Sequence, residues 1–216
     1  MKRLIVYDLD GTLVDTLEDI TRAVNHMAQQ FDAPALAADE VRRFVGHGLH
    51  QLVKSCLKTD DPRRIERGAK IYRAYYADHL VDHSRLYPGV REVLEHFKGR
   101  TQVVVTNKPN PFSRDILHAL DVERYFWNVI AGDEEYPKKP DPTAVRSLMD
   151  QAGVSPNDTL LIGDSPIDVQ TGRSAGVVTV GVLHGFADAT DLSAAAPDAL
   201  VRDFTELLRV ANQQAW

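Results

Sequence analysis

The sequence predicts an α/β protein, with a Rossmann-like parallel-sheet core and an inserted α-helical cap subdomain. Short β-branched runs alternate with helical patterns from residue 101 onward, as in βαβ units. A similar apolar run at residues 4–7 stands far upstream of the others, and the chain between them has helical periodicity. The length of 216 residues suits one generous domain that carries such an insertion.

Five runs have the composition of buried parallel strands. Each is apolar and rich in β-branched residues, and they lie at residues 4–7, 101–106, 128–132, 159–163 and 177–183. Because these runs are apolar throughout rather than alternating, we expect helices to cover both faces of the sheet.

Two long helices are predicted in the inserted segment. Apolar residues recur at spacings of three and four over residues 17–31, and Thr16 with Asp19 predicts a capping box where that helix begins. The second helix is predicted to begin with Asp61 as its N-cap and Pro62 as its first helical residue.

Two shorter helical runs, residues 41–45 and 49–57, lie between the long helices and are separated by the glycine-flanked residues 46–48. We expect this break to form a flexible loop. The residues Tyr-Pro-Gly at 87–89 signal a turn where the chain returns to the sheet. The expected division is an α/β core and a helical cap, with the core at residues 1–14 and 86–216 and the cap at residues 15–85.

Composition excludes several classes of partner. The 25 Lys and Arg residues against 31 Asp and Glu give a net charge of −6, and no basic run is present, so nucleic acid is not an expected partner. No apolar run approaches the roughly 18 residues that span a bilayer, so no membrane association is expected. Cys56 is the only cysteine, and without a visible export signal a cytoplasmic location is expected.

The densest polar cluster, Asp8, Asp10, Gly11 and Thr12, follows the first predicted strand. Residues two apart on an extended chain point the same way, so Asp8 and Asp10 can face one pocket. Two carboxylates there are unfavourable unless a cation or a proton compensates them. Gly11 permits a positive φ or the close approach of a ligand. For an isolated motif of this kind, a solvated acidic turn is the alternative interpretation.

A second acidic pair follows another predicted strand, where Asp164 comes after Gly163 and Asp168 falls in the first turn of the next helix. The ends of parallel strands meet at one edge of a sheet, so Asp8, Asp10 and Asp164 are expected to converge. Three oxygen ligands with water suit Mg²⁺. Asp168 is expected either to stabilise the helix dipole or to support the metal ligands from behind.

Polar groups that complement the acidic residues follow a third strand and lie in a later loop. Thr106, Asn107 and Lys108 stand at the strand end, and Lys139 lies in the loop. Hydroxyl, amide and ammonium groups are what a phosphate dianion requires. Taken alone, Thr106 reads as a strand terminus and Lys139 as a surface lysine, but their shared position at the strand ends favours a phosphate site.

Four motifs in order resemble those of the haloacid dehalogenase superfamily: DLDGTLVDT at 8–16, VTNK at 105–108, KKPDP at 138–142 and GDSPID at 163–168. The helical insertion is similar to that superfamily's α-helical cap. Three further stretches resemble its phosphoglycolate phosphatase branch: FVGHG at 44–48, LYPGV at 86–90 and VTNKP at 105–109.

The resemblance implies a role for each core residue. Asp8 would be the nucleophile that becomes an aspartyl phosphate, and Asp10 would protonate the leaving alkoxide and then deprotonate the attacking water. Mg²⁺ would be held by Asp8, the backbone carbonyl of Asp10 and Asp164, while Lys139 and Thr106 would hold phosphate oxygens. An acid at position 10 is not needed by a dehalogenase, because halide leaves without protonation.

The implied function is Mg²⁺-dependent hydrolysis of a small phosphate monoester, with 2-phosphoglycolate as the expected substrate. Gly11, Asn107 and His47 are the further expected substrate contacts, and Arg42 and Arg43 are alternative contacts for a carboxylate. A phosphosugar mutase or a pyrophosphatase of the same superfamily remains an alternative, as does a non-enzymatic receiver-like module. The partner is expected to be a small phosphorylated metabolite, and the protein to be a monomer or a homodimer.

Overall fold

Six short strands form one parallel sheet in the computed structural model, which describes residues 1–133, 136–214 and 216. Every neighbouring pair is parallel, which confirms the predicted α/β class. In spatial order the strands are β5 (Asn128–Ile130), β4 (Thr101–Val105), β1 (Leu4–Tyr7), β6 (Thr159–Gly163), β7 (Val178–Val182) and β8 (Ala199–Val201).

The central strand β1 is buried on both faces. Ile5 and Tyr7 enter one hydrophobic core, whereas Leu4 and Val6 enter a second core on the opposite face of the sheet. Side chains alternate between the faces of a strand, so a strand covered on both sides reads as a continuous apolar run. This burial is why β1 was recognisable from four residues.

A two-stranded antiparallel ribbon connects the sheet to the helical insertion and was not predicted. It pairs β2 (Val14–Asp15) with β3 (Arg85–Leu86), so the chain leaves the sheet and returns to it side by side. Two residues per strand are too few to show a period of two in the sequence. The expected cap boundaries, residues 14/15 and 85/86, fall within this ribbon.

Four helices occupy the insertion: α1 (Leu17–Gln29), α2 (Ala38–Arg42), α3 (Leu49–Leu57) and α4 (Pro62–Asp78). The predicted start of α4 is confirmed, because the Asp61 carboxylate accepts a 2.9 Å hydrogen bond from the backbone N–H of Arg63. The predicted run at 41–45 is wrong in its extent, since α2 ends at Arg42 and a turn follows.

The predicted capping box at Thr16 is wrong. Thr16 is the N-cap residue of α1 but makes no side-chain capping bond, because its hydroxyl donates to Asp10 Oδ1 at 2.7 Å. Asp19 instead is buried and accepts hydrogen bonds from the backbone N–H groups of His83 and Ser84. Partners distant in the sequence therefore replace the local ones that the motif predicts.

The remaining helices cover the two faces of the sheet: α5 (Val90–His96), α6 (Phe112–Ala119), α7 (Thr143–Ala152), α8 (Pro166–Ala175), α9 (Ala189–Ala194) and α10 (Phe204–Gln214). α7 and α8 pack on the face that carries Leu4 and Val6, while α5, α6 and α10 pack on the other. Among the described residues, no helix has the length and apolar character needed to cross a membrane.

Candidate active site

The order of the strands brings three polar strand ends together. β1 lies between β4 and β6, so Asp8, Thr106 and Asp164 follow three adjacent strands at their carboxyl ends. The sheet ladder continues into these residues, since Asp8 N–H donates to Ile162 O and Thr106 N–H donates to Ile130 O, both at 3.0 Å. The topological switch point of an open α/β sheet is the position at which such folds bind ligands.

Three buried carboxylates meet around one lysine. Asp8, Asp164 and Asp168 each offer an oxygen atom, and these atoms lie within 4.8 Å of one another. The ammonium of Lys139 lies 2.8 Å from Asp8 Oδ1 and 2.6 Å from Asp168 Oδ1. One cation faces three carboxyl groups, so this acidic cluster has an excess of negative charge.

Burial, together with the charge imbalance, changes the pKa values of the acidic cluster. Burial raises the pKa of Asp8 to about 6, with the Lys139 ammonium opposing the shift and the Asp168 charge adding to it. Burial also raises the pKa of Asp164 to about 7, and the charges of Asp168 and Asp8 reinforce that rise. Burial alone would lower the pKa of Lys139, but the Asp168 and Asp8 carboxylates raise it above its ordinary value, so the ammonium stays charged.

The donor set of the cluster fits a divalent cation. Asp8 Oδ1 is buried and accepts no properly directed hydrogen bond from the described residues, despite its ion pair with Lys139. Asp164 accepts 2.7 Å bonds from Thr12 Oγ1 and from the N–H of Phe186, which orient its carboxylate. Hard carboxylate oxygens with excess negative charge are the ligands that Mg²⁺ prefers.

Both oxygens of Asp168 are also bonded within the protein, and one of them is paired with the lysine. Oδ1 pairs with Lys139, while Oδ2 accepts from the Ser165 N–H at 3.2 Å and from its hydroxyl at 2.6 Å. The bond from the Ser165 N–H caps the start of α8. Asp168 thus both caps a helix and anchors the lysine.

Asp10 lies beside the cluster with a cation of its own. Its Oδ1 accepts hydrogen bonds from Thr16 Oγ1 at 2.7 Å and from Lys108 Nζ at 2.9 Å. The same ammonium donates to Tyr76 Oη at 2.9 Å. Lys108 followed a predicted strand end but received no role of its own, and nothing in the sequence separates Tyr76 from the packing aromatics of a helix.

Asn107 joins three segments of the site. Its Nδ2 donates to the carbonyls of Gly46 and Lys139, and its Oδ1 accepts from the N–H of Lys139. The expected substrate contact is therefore engaged within the protein and fixes the loop that carries Lys139. Thr106 Oγ1 accepts a 3.2 Å bond from the N–H of Lys108, which leaves the hydroxyl hydrogen for another partner.

Gly11 holds the Asp10 loop against Asp164. Its φ is +80°, and a Cβ at this position would lie 2.4 Å from Asp164 Oδ2. The expected positive φ is present at this glycine, and the group that approaches it closely is the Asp164 side chain rather than a ligand. Phe186 packs against the same place, and no sequence pattern marks it, because its hydrogen bond to Asp164 uses only the backbone N–H.

A cavity of about 270 Å³ opens onto the site between the core and the helical segment. Asp8, Asp10 and Asp164 line its core side, and basic residues from the α2–α3 region line the other, namely Arg42, Arg43 and His47. Arg42 pairs at 3.5 Å with the exposed Asp188 of the core, and its buried Nε makes no hydrogen bond to the described residues. His47 and Arg43 are exposed.

Comparison with known proteins agrees with this geometry. The family model "Haloacid dehalogenase-like hydrolase" matches residues 5–182. A phosphoglycolate phosphatase of Vibrio parahaemolyticus is 34% identical over 224 aligned positions, which cover 99% of this chain and 97% of that protein. Phosphoglycolate phosphatase 1 of Pseudomonas aeruginosa is also 34% identical, and the match covers 100% of this chain and 82% of the relative.

Solved structures share the fold over almost the whole chain. The crystal structure of a predicted phosphoglycolate phosphatase from Haemophilus somnus superimposes with a TM-score of 0.92 at 29% identity and covers 97% of this chain and 98% of its own. A β-phosphoglucomutase from Clostridium difficile has a TM-score of 0.79 at 18% identity, covers 96% of this chain and 93% of its own, and shows a likeness of fold alone. With a family model matched over most of its length and full-length relatives at 34% identity, the chain belongs to the haloacid dehalogenase-like hydrolases.

Proposed function

We propose that this phosphoric monoester hydrolase cleaves a small phosphorylated metabolite in a Mg²⁺-dependent reaction through an aspartyl phosphate on Asp8. One observation carries the proposal: two carboxylates at the end of β1 occupy different environments. Asp8 lies in the acidic cluster next to Lys139, and Asp10 lies outside it next to Lys108. One is suited to attack phosphorus, and the other is suited to move a proton.

In the first step a bond forms between a carboxylate oxygen of Asp8 and phosphorus, and the ester P–O bond breaks. Asp10 donates its proton to the departing oxygen, which leaves as an alcohol. In the second step Asp10 takes a proton from water, the water oxygen bonds to phosphorus, and the bond from phosphorus to Asp8 breaks. Inorganic phosphate is released, and splitting one very slow hydrolysis into two easier steps is the advantage of the covalent route.

The surrounding residues offset the repulsion between a carboxylate and a phosphate dianion. Lys139, 2.8 Å from Asp8, and the Thr106 hydroxyl are proposed to hold phosphate oxygens. Asp8, Asp164 and the backbone carbonyl of Asp10 would hold Mg²⁺, which when bound supplies positive charge to the phosphoryl oxygens. Asp168 fixes Lys139 through a 2.6 Å ion pair.

The proposed substrate is 2-phosphoglycolate, which carries a carboxylate besides its phosphate. Full-length relatives at 34% identity are named phosphoglycolate phosphatases. Arg42, Arg43 and His47 line the cavity opposite the acidic cluster, where they suit a second anionic group. We propose that residues 15–85 act as a cap over this cavity and that Gly11 and Asn107 serve the site by placing Asp164 and the Lys139 loop. The enzyme is expected in the cytoplasm, as a monomer or a homodimer.

Steady-state phosphate release tests this function. The panel contains 2-phosphoglycolate, sugar phosphates, pyrophosphate and 4-nitrophenyl phosphate, each with Mg²⁺ and with excess chelator. We expect Mg²⁺-dependent release with a preference for 2-phosphoglycolate, and loss of that activity in Asp8→Asn. A preference for pyrophosphate, or conversion of a sugar phosphate into its isomer without release, would replace the proposed substrate. Release that survives chelation would contradict the metal requirement.

A further inference from the structure

A second buried lysine, Lys108, makes contacts that the phosphoryl transfer described above does not use. Its side chain is 4% exposed, and its ammonium contacts three oxygen atoms: Asp10 Oδ1 at 2.9 Å, Asp10 Oδ2 at 3.2 Å and Tyr76 Oη at 2.9 Å. An ammonium has three N–H donors, so these contacts account for its hydrogen-bonding capacity. Lys108 is therefore directed at Asp10 and Tyr76 rather than at the phosphate side of the site.

Tyr76 brings the helical segment into this network. It lies in α4, is fully buried, and its ring packs edge-on against Phe112 of the core at 5.1 Å between centroids. The Lys108 ammonium lies 4.7 Å from the centre of the Tyr76 ring, and its direct contact with Tyr76 is the hydrogen bond to the hydroxyl. Burial raises the pKa of Tyr76 well above its ordinary value, and the hydroxyl stays neutral at physiological pH.

The contacts among Lys108, Asp10 and Tyr76, which form one polar network, are strengthened by their largely apolar surroundings. A small cavity of about 40 Å³ lies beside Asp10 and Lys108, and its other walls are largely apolar: Ile20, Leu49, Leu52, Tyr72 and Phe112. Charges interact more strongly in such surroundings than in water, and a displaced carboxylate would find few other donors there. The Thr16 hydroxyl also donates a 2.7 Å hydrogen bond to Asp10 Oδ1.

We propose that Lys108 and Tyr76 are positioning residues for Asp10, which they hold in place for proton transfer while α4 is packed against the core. The inference rests on the acid–base role proposed for Asp10. It adds that the helical segment contributes a hydroxyl group to the catalytic geometry, beyond any contact it makes with substrate. Movement of α4 away from the core would remove Tyr76 from the network and leave the Lys108–Asp10 pair without one of its supports.

The test compares substrates whose leaving groups differ in their need for an acid. An alkyl phosphate such as 2-phosphoglycolate releases a basic alkoxide, whereas 4-nitrophenyl phosphate releases a stable phenolate. kcat/KM covers the steps from substrate binding to departure of the leaving group, so it excludes the later attack of water, in which Asp10 also takes part. General acids contribute about 10²- to 10⁴-fold, and Asp10→Asn should lose that factor for the alkyl ester alone.

Two variants probe the network itself. Lys108→Met keeps the length of the side chain, and Tyr76→Phe removes only the hydroxyl. We expect kcat/KM for the alkyl ester to fall about 100-fold in Lys108→Met and about tenfold in Tyr76→Phe, with 4-nitrophenyl phosphate changed less than about threefold. Tyr75→Phe is the matched control, because it removes a hydroxyl from the same helix at a residue whose ring stacks against His26 and His79 rather than lining the site. It should leave both substrates unchanged.

Four results would overturn the inference. Equal losses on both esters would give Lys108 and Tyr76 a purely structural role, and a raised KM with unchanged kcat would make Lys108 a substrate contact. If Asp10→Asn lowers kcat/KM for the alkyl ester alone but neither Lys108→Met nor Tyr76→Phe does so, the inference is wrong and the proposed function still stands. If Asp10→Asn itself shows no dependence on the leaving group, the acid–base role and the inference fail together.

Discussion

Two buried lysines divide the carboxylates of the site into groups with different environments. Lys139 pairs with Asp8 and Asp168, and Lys108 pairs with Asp10. A buried charge is unfavourable without a partner of opposite charge, so each lysine stabilises the carboxylate that it contacts. Both carboxylates at the end of β1 thereby receive a cation, though from different loops.

The first prediction concerns Lys139. Lys139→Met removes the cation that faces Asp8, so phosphate release should fall by at least about 10²-fold, as for other preorganised charges at reacting centres. Lys138→Met is the matched control, since Lys138 is the preceding residue but is exposed. Phosphate release by both variants at saturating Mg²⁺ provides the measurement. Equal activity of the two variants would show that Lys139 does not assist the transfer.

The second prediction uses two glycines with positive φ. Gly11→Ala forces a Cβ to 2.4 Å from Asp164 Oδ2 at a φ of +80°, whereas Gly153→Ala meets nothing within 4 Å at a φ of +61°. The φ penalty alone is about 1–2 kcal/mol, so Gly153→Ala should lose about that much stability and keep its activity. Gly11→Ala should lose activity as well, because Asp164 must move. Urea unfolding and phosphate release separate the two effects, and a fully active Gly11→Ala would show that the placement of Asp164 is not critical.

Sequence patterns identified the charged side chains that meet in the site, but not all of the residues that bond to them. Asp8, Asp164 and Lys139 were expected together, and the structure brings them together because strand ends meet at one edge. Tyr76 could not be separated from helical packing residues, since its spacing in α4 is that of a buried face. Phe186 contributes only its backbone N–H, which no residue type reveals.

At the scale of single elements, the ribbon β2–β3 is reinforced by Asp19 of α1. The Asp19 carboxylate is fully buried and accepts bonds from the N–H groups of His83 and Ser84 and from the Ser84 hydroxyl, the last at 2.7 Å. His83 and Ser84 immediately precede β3, so one carboxylate joins the start of the insertion to its end.

Asp19 gives the third prediction. Asp19→Asn should destabilise the protein by about 3 kcal/mol, because an amide N–H would face the N–H donors that the carboxylate now satisfies. Ser84→Ala removes one donor and should cost about 1 kcal/mol. The free energy of unfolding in urea gives both values. Equal, small losses would mean that the bonds to Asp19 do not hold the two ends of the insertion together.

Strands and helices were predicted correctly where a long buried segment appears in the sequence as a long apolar pattern, and they were missed where the element is short. The apolar run at 159–163 is the same in sequence and structure, whereas the three-residue strand β8 was not predicted, as only Val201 within it is buried. The start of α4 was recognisable because Asp61 bonds locally to Arg63, but Thr16 bonds instead to Asp10. Local rules fail where a distant carboxylate competes for the same group.

For the molecule as a whole, the topology of the sheet explains why the site forms where it does. β1 lies between β4 and β6, so residues separated by about 100 positions or more of sequence share one edge. The helical segment completes the enclosure with basic side chains and with Tyr76. The class of fold was predictable because the strand runs alternate with helices, whereas the contacts between α4 and Asp10 depend on how the insertion packs.

The last prediction links the stability of the whole protein to pH and Mg²⁺. Burial raises the pKa values of Asp8 and Asp164 from 3.8 to about 6 and about 7, so between those limits the metal-free folded state binds protons that the unfolded state has released. The free energy of unfolding should therefore fall as pH rises through this window. The proposed Mg²⁺ would bind the deprotonated carboxylates, so its stabilising effect should be small at about pH 5 and largest above about pH 7. Thermal unfolding with Mg²⁺ or chelator across this range gives the measurement, and Asp164→Asn should show a shallower pH dependence and no Mg²⁺ effect. An equal Mg²⁺ effect at both ends of the range, or one retained in Asp164→Asn, would place the metal away from the acidic cluster.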